Sequence, residues 1–427
     1  MYKILNKYAT DVSKQKLEKF NQSHSTQSNP IQSNPIQSNP IQSHPTQSNP
    51  IQSNPIQSHP TLRKNLSLMT KAFGSELDLR LNKKISLTYV KSKLNEFITD
   101  VMGGSNHKLR ADIVAMTALM PVILTVGKSD ISINFLFDKS VINGKYISLI
   151  VHAINTFAHM FPHDYDGLEI NICLDQNLRQ VPVEISNWAV PAKINYLRSH
   201  SLAFNVSGVT FEPIKLINVT KTEEMIKLLF HELIHFIGLD HVLTTVKFRN
   251  EWGMGSSELN LSEAYTEFVA IILTAMYESI HLSSDPSTDP STDPSTTNIS
   301  SQTFLSEILS TEISYGVYLA SRILIFFGWD QSTYKNFFAS TSVKKIDQPI
   351  MLVEYIFLRS ILFLNLDMVL DVIPENFRLR KSDTKSIVRI LHTDQNFVWE
   401  VGTCIADQKL IANSVSYMAV DLDWSLF

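Results

Sequence analysis

Three residues whose types and spacing could do chemistry lie in the segment Leu228–His241, which has the sequence LLFHELIHFIGLDH. His231 and His235 are four positions apart, and Glu232 lies between them. At about 3.6 residues per turn, positions i and i+4 share one face of a helix, so both imidazoles could bind one metal ion while Glu232 holds a water molecule beside it. The spacing therefore predicts a metal site with His231 and His235 as ligands and Glu232 beside the metal-bound water.

The helix that must carry this motif has sequence signals at both ends. Thr220 and Glu223 form a capping box that predicts its start, and Gly238 favours a left-handed turn at its end. Alternating apolar residues predict strands before it, and one segment between them has helical periodicity. The predicted strands are Ile131–Phe137, Leu168–Leu174 and Ser201–Phe211, and the predicted helix is Tyr146–Phe161.

Helical patterns dominate the rest of the chain. They cover Ser257–Leu282, Thr303–Trp329 and Met351–Ile373, and the apolar stretch Ile113–Val126 is also interpreted as a buried helix. None of these stretches has about twenty uninterrupted apolar residues, so no transmembrane span is expected. The sequence predicts an α+β fold in which a small mixed sheet with backing and active-site helices is followed by a mainly helical C-terminal half.

A HExxH motif on a helix after a small sheet resembles the zincin metallopeptidases, over about residues 130 to 280. The resemblance implies a zincin-like fold, Zn²⁺ as cofactor and a peptide or protein as substrate. It also implies hydrolysis of peptide bonds by a metal-activated water, with Glu232 as general base and then as proton donor to the leaving amine. The strand Leu202–Phe211 would hold the peptide in an extended form.

Two residues compete to be the third zinc ligand. Residues 231–241 fit the pattern HExxHxxGxxH and resemble the metzincins, in particular the matrixins, which implies His241 as ligand. Met254 is the nearby candidate for a metzincin methionine turn, but the residues around it do not match that turn. Glu263 and Glu267 resemble the second helix of the gluzincins, which implies that Glu263 binds zinc and Glu267 hydrogen-bonds a ligand histidine.

The surroundings of the two glutamates favour Glu263 over His241. They are one turn apart on a helix that is apolar nearly all round, and no Lys or Arg occurs between Arg249 and Arg322. Buried carboxylates need a cation or hydrogen-bond donors, and a zinc ion and a histidine N–H would supply both. A donor for the oxyanion of the transition state is also expected, and Tyr265, Tyr315 and Tyr318 are conceivable without being predicted as catalytic.

Composition narrows the class of protein. The 427 residues include 37 Lys and Arg against 41 Asp and Glu, so the basic excess of a nucleic-acid-binding protein is missing. Two cysteines cannot build a disulfide-rich scaffold. The first twenty residues are charged throughout, unlike a secretory signal, so we expect an intracellular, cytoplasmic protein.

Two low-complexity tracts divide the chain. Residues 22–61 are eight five-residue units of the type Gln-Ser-Asn-Pro-Ile, and residues 285–296 hold three Asp-Pro-Ser-Thr copies; both are expected to be disordered. The expected organisation is a short N-terminal segment (1–21), the repeat tract (22–61), a helical region that could act as a prodomain (62–130), a zincin core (131–282), a linker (283–301) and a helical C-terminal region (302–427).

A second class of function remains open at this point. The catalytic frame could be kept without turnover, and the chain would then be a catalytically inactive zincin-fold binding or interaction protein, with the repeat tract as a multivalent surface.

Overall fold

The structure is a computed structural model. It describes residues 59–102, 113–138, 144–174, 208–249, 258–284, 300–339, 353–392 and 395–407, together with the short stretches 9, 13–14, 188–189, 191–193, 195, 252–253 and 418–420. Nearly all of the repeat tract, residues 285–299 of the linker and Met254 lie outside the described residues.

A six-stranded mixed sheet forms the first half of the described fold. The strand order is β1-β2-β3-β4-β6-β5, in which β3, β4 and β6 are parallel and the other neighbours are antiparallel. The strands are β1 (Asp78–Leu81), β2 (Ala118–Val126), β3 (Ser129–Phe137), β4 (Glu169–Cys173), β5 (Gly208–Phe211) and β6 (Leu216–Val219). A separate two-stranded ribbon pairs β7 (Lys247–Arg249) with β8 (Glu258–Asn260).

Three helices precede or connect the strands of the sheet along the chain, and the other described helices follow its last strand. Those that precede or connect its strands are α1 (Pro60–Phe73), α2 (Leu87–Met102) and α3 (Gly144–Met160). Those that follow are α4 (Met225–Phe236), α5 (Leu261–Ser284), α6 (Ser301–Phe326), α7 (Tyr334–Phe337), α8 (Arg359–Leu364), α9 (Leu366–Val372), α10 (Lys381–His392) and α11 (Gln395–Asp407). A π-helical turn at Val353–Leu358 leads directly into α8. No helix of the described residues is both long enough and apolar enough to cross a membrane.

Side chains along each strand point alternately to the two faces of the sheet, and one of these faces packs against α3 and α4. Ile131, Ile133 and Phe135 of β3 point to the face on which α3 and α4 pack, as do Ile170 and Ile172 of β4. The parallel pair β3 and β4 is joined across α3, as parallel neighbours require a crossover. The buried core continues from this face through α5 and α6 into the C-terminal helices, so α4 lies inside the core with its motif.

The opposite face carries a row of buried asparagines. Asn134, Asn171 and Asn218 occupy matching positions on β3, β4 and β6. The Asn134 amide donates to Asn171 Oδ1 at 2.9 Å, and the Asn171 amide donates to Asn218 Oδ1 at 3.1 Å. The contacts align the three strands in register, so that the end of β6 delivers the chain to α4 at a fixed position.

The predicted fold class is confirmed, because a mixed sheet precedes a mainly helical half. The predicted strands at 131–137 and 168–174 and the helix at 146–161 match β3, β4 and α3 within two residues. The helix predicted over 113–126 is wrong, because residues 118–126 form β2 between β1 and β3. Pro121 is tolerated there because β1 has ended opposite it, and its carbonyl accepts from Asn82 N.

Residues 62–130 contribute to the sheet as well as to the helices. This region was predicted to be helical and a possible prodomain, and it contains most of α1, all of α2 and the strands β1 and β2. The helix predicted over Met351–Ile373 is not one continuous helix. Its described part, from Val353, consists of the π-helical turn, α8 and α9, with a break at Asn365.

Candidate metal centre

Helix α4 carries the histidines, and it begins later than its capping box predicts. The turn that follows β6 occupies Thr220–Glu224, and the residue before the helix is Glu224 in the left-handed region at φ 58°. The Glu224 side chain does not cap the helix. The start predicted at Thr220 is wrong, because β6 keeps the chain extended to Val219 and the helix begins only at Met225. The predicted end is correct, because Gly238 has φ +66° and its N–H donates to the carbonyl of His235.

Three donor atoms from α4 and α5 meet at one point. The Nε2 atoms of His231 and His235 are 3.2 Å apart, and Glu263 Oε2 lies 3.5 Å from the first and 3.4 Å from the second. Within the described part of the chain, this is the one group of three His, Cys, Asp or Glu side chains arranged closely enough to hold a metal ion. Glu263 reaches the histidines because α5 packs directly against α4.

Each imidazole is fixed through its other nitrogen. His231 Nδ1 lies 3.0 Å from Glu267 Oε2, and His235 Nδ1 lies 2.9 Å from Asp240 Oδ2. A carboxylate at Nδ1 sets the tautomer with the proton on that atom, which leaves Nε2 free to bind a cation. Glu267 and Asp240 are both 2% exposed, so water competes little for these contacts.

The charges around the histidines are mostly negative. Burial would lower the pKa of His235, but contacts with Asp240 and Glu263 raise it well above its ordinary value. Burial would likewise raise the pKa of Glu263, but the two imidazoles hold it well below its usual range. The pKa of Glu267 is also held low against the effect of burial, first by the Lys227 ammonium. Such a site attracts a cation, because the ionised carboxylates have lost much of their hydration.

The side chain of Glu232 extends from α4 to strand β5. Thr210 Oγ1 is 2.7 Å from Glu232 Oε2 and 2.9 Å from the Glu232 carbonyl oxygen, so the hydroxyl can donate to either. A Cβ on Gly208 would come within 2.4 Å of Glu232 Oε1, so only glycine leaves room for the carboxylate. Burial raises the pKa of Glu232, which moves a carboxylate toward the range of a general base at neutral pH.

His241 does not join the other two histidines. It lies in a short 3₁₀ turn, His241–Leu243, where its side chain is 54% exposed and its Nε2 is 3.2 Å from Glu212 Oε2. The turn at Gly238 forms as predicted, but it presents Asp240, and not His241, to His235. The structure thus brings Glu263 to the pair of histidines and leaves His241 exposed to solvent beside Glu212.

Sequence reasoning missed a tyrosine at this site. Tyr355, in the π-helical turn, donates its hydroxyl to Glu263 Oε2 at 3.1 Å, and its ring centroid is 5.9 Å from that of His231. Of the tyrosines that were conceivable as donors, Tyr265 donates to the Phe377 carbonyl, and Tyr315 and Tyr318 stack on each other in α6. Tyr355 is 92 positions from Glu263, a separation that no local pattern encodes.

The donor set fits a zinc ion. Zinc in proteins prefers tetrahedral coordination with bonds of about 2.0–2.1 Å to histidine nitrogen and carboxylate oxygen, which puts ligand atoms about 3.4 Å apart. The three separations of 3.2, 3.4 and 3.5 Å agree with that geometry. Three protein ligands among the described residues would leave a fourth position for water, which is the arrangement of catalytic zinc sites and not of structural ones.

The chain is similar to a viral protein over most of the length of both chains. The chain is 33% identical over 352 residues to "Uncharacterized protein R210" of Acanthamoeba polyphaga mimivirus, and the alignment covers 82% of this chain and 86% of the mimivirus protein. No protein-family model and no solved structure matches the chain.

Proposed function

The chain belongs to the same family as this mimivirus protein, and we propose that it is a zinc-dependent peptidase that hydrolyses peptide bonds with Glu232 as general base. One observation carries the proposal: His231, His235 and Glu263 present three donor atoms at tetrahedral spacing, with Glu232 buried beside them. A purely structural zinc site would need a fourth protein ligand and would have no use for Glu232.

Strand β5 supports a peptide as the substrate. It is the last strand in the sheet order, so one side of its backbone has no neighbour among the described strands. An extended peptide could add to that edge by backbone hydrogen bonds. Since Thr210 of β5 contacts Glu232, a peptide bound along β5 would pass the base within a short distance.

The residues of the chain divide the reaction among them. A zinc ion bound by the three ligands would supply Lewis acidity to the scissile carbonyl and to the attacking water. Glu232 takes the proton from the water at a carboxylate oxygen and then gives it to the leaving nitrogen. Glu267 and Asp240 hold the imidazoles in place throughout, and the buried surroundings of Glu232 strengthen each of these interactions.

The experiment measures zinc content and peptidase activity in the same preparations. Elemental analysis should find about one zinc per chain, and cleavage of fluorescein-labelled casein should stop when a chelator is added and return with Zn²⁺. Glu232→Gln should keep its zinc and lose activity by about 100-fold or more. Glu212→Gln, the same change at an exposed carboxylate beside His241, is the matched control and should be unaffected.

The same preparations decide the third ligand. Glu263→Ala should lose zinc, whereas His241→Ala should keep it, because only Glu263 lies within reach of both imidazoles. Zinc retained in Glu263→Ala and lost in His241→Ala would reverse the assignment. Stoichiometric zinc with chelator-sensitive cleavage would support the peptidase, whereas metal-free and inert protein would end the peptidase proposal and favour the inactive binding protein.

We also propose an intracellular, cytoplasmic location. The sequence has two cysteines, Cys173 and Cys404, and Cys173 is buried in β4. So few cysteines in a chain of this length are typical of a reducing compartment, where disulfides are rare. Fluorescence microscopy of the tagged full chain in host cells tests this part of the proposal.

A further inference from the structure

A buried lysine lies next to the metal centre, and the peptidase mechanism does not use it. Lys227 is the only Lys or Arg in α4, and its side chain is 2% exposed. It lies four residues before His231, on the same face of the helix. A lysine is almost never buried to this degree without a specific partner. Its position therefore indicates a role at the site.

The partner of Lys227 is the carboxylate that orients His231. Lys227 Nζ donates to Glu267 Oε1 at 2.8 Å, while the other oxygen of Glu267 lies 3.0 Å from His231 Nδ1. Arg359 Nη1 approaches the same Oε1 at 3.6 Å, and both Glu267 and Arg359 are nearly inaccessible to solvent. The two oxygens of Glu267 therefore have separate roles, one toward the cations and one toward the histidine.

The contact continues away from the metal centre. Glu224, the residue before α4, has its Oε2 3.4 Å from Lys227 Nζ and accepts a hydrogen bond from Met418 N at 2.7 Å. Lys227 thus lies between two buried carboxylates from different parts of the chain. His235 has a simpler arrangement, because its Asp240 comes from the turn that ends its own helix. The carboxylate that orients His231 is therefore held by residues from distant parts of the sequence.

We propose that Lys227 is a positioning residue for the metal centre, which acts through Glu267: it holds the Glu267 carboxylate in the one orientation that directs His231 Nε2 toward His235 and Glu263. The inference rests on the metal-binding part of the proposed function and not on peptidase activity. Loss of a partner that orients a metal ligand typically weakens metal affinity about 10- to 100-fold.

The test is a zinc titration of the metal-free full chain against a chromophoric chelator. Lys227→Met should weaken Zn²⁺ binding about 10- to 100-fold, and Glu267→Gln should weaken it by a similar factor. Because Lys227 acts through Glu267, the double variant should bind zinc no more weakly than the weaker single variant. Lys193→Met is the matched control: it removes another buried lysine, whose ammonium contacts the Phe326 carbonyl, and should change the affinity less than twofold.

Circular dichroism separates a folding defect from a positioning effect. Should Lys227→Met fail to fold, Lys227→Leu, which also has no donor for Glu267 but a shorter side chain, takes its place in the cycle. Unchanged affinity in the folded variant overturns the inference, and so do single effects that multiply in the double variant. A chain that binds zinc and cleaves nothing ends the peptidase proposal and leaves this one standing, whereas wild-type protein without zinc affinity overturns both.

Discussion

Thr210 is the residue that joins the edge strand β5 to Glu232, the proposed general base. Its hydroxyl is 2.7 Å from Glu232 Oε2, and it sits on the strand along which we propose that a peptide binds. A hydrogen bond to a charged group is worth about 1.5–3 kcal/mol. The contact therefore has enough energy to decide where the carboxylate points.

Thr210→Val, which keeps the shape and removes the hydroxyl, should lower kcat about 10-fold or more with little change in KM or zinc content. Thr210→Ser restores a hydroxyl at the same position and should recover most of the activity. Steady-state kinetics on a fluorogenic peptide measures both. Equal losses in the valine and serine variants would show that the methyl group, and not the hydrogen bond, is what the site needs.

At the residue scale, the sequence predicts the side chains that lie in regular helical spacing. His231, Glu232 and His235 follow from one helix, and Glu263 with Glu267 from another. In the structure His231 contacts His235, Glu263 and Glu267. Thr210 and Tyr355 could not be predicted, because each meets the site through tertiary folding. Lys227 did leave a signal: it is a single cation in an otherwise apolar turn before His231.

At the scale of elements, α1, α3 and α5 meet in a group of four aromatic rings. Phe73 of α1 contacts His152 of α3 and His281 of α5 at centroid distances of 4.5 and 4.6 Å, and Tyr277 lies 4.8 Å from His281. His152 is hydrogen-bonded to the Tyr277 hydroxyl at 2.9 Å. The group packs α5, which carries Glu263, against the helices around the sheet.

Burial lowers the pKa of His281 to about 3 from its ordinary value of 6.5, with a smaller contribution from His152. Between these two pH values the unfolded chain binds a proton that the folded chain does not, so the stability of the fold decreases as the pH falls. His281→Phe removes that difference, and its stability should decrease by about 2 kcal/mol less than that of wild type between pH 7 and pH 5.

Urea unfolding of the metal-free protein at several pH values measures this effect, with the metal removed so that the zinc ligands do not dominate. His159→Phe on α3 is the control, since the His159 ring bonds the carbonyl of Asn155 within its own helix and the residue is exposed to solvent. Parallel pH profiles for wild type and His281→Phe would contradict the expected result.

The elements that sequence predicts correctly are those whose periodicity is unambiguous. Helix α3 shows apolar residues at helical spacing, and β3 alternates, so both were located within two residues. Residues 118–126 are apolar at nearly every position, which fits a buried helix as well as a buried strand. Only pairing with β1 and β3 decides for a strand, and pairing is a property of the whole sheet.

At the scale of the whole molecule, residues 418–420 connect a segment near the end of the chain to the turn before α4 and to α6. They are buried, and their three N–H groups donate to two carboxylates: Met418 to Glu224, and Ala419 and Val420 to Glu312 of α6. Glu312 and Ala419 are 107 positions apart, so no sequence pattern predicts the contact. The mixed fold class could be predicted because composition and periodicity suffice for it, whereas this connection depends on tertiary contacts.

Glu312→Ala should destabilise the fold by about 3 kcal/mol, because it leaves two buried N–H groups without an acceptor and also removes a charge-assisted pair of hydrogen bonds. Urea unfolding followed by tryptophan fluorescence measures the change. Glu307→Ala, on the same helix but partly exposed, should cost no more than about 0.5 kcal/mol. If the two variants were equally stable, the contact between residues 418–420 and α6 would contribute no free energy to the fold.

If the expected difference is found, Glu312→Ala should also weaken zinc binding, since Glu224 connects the same segment to Lys227 and through it to Glu267.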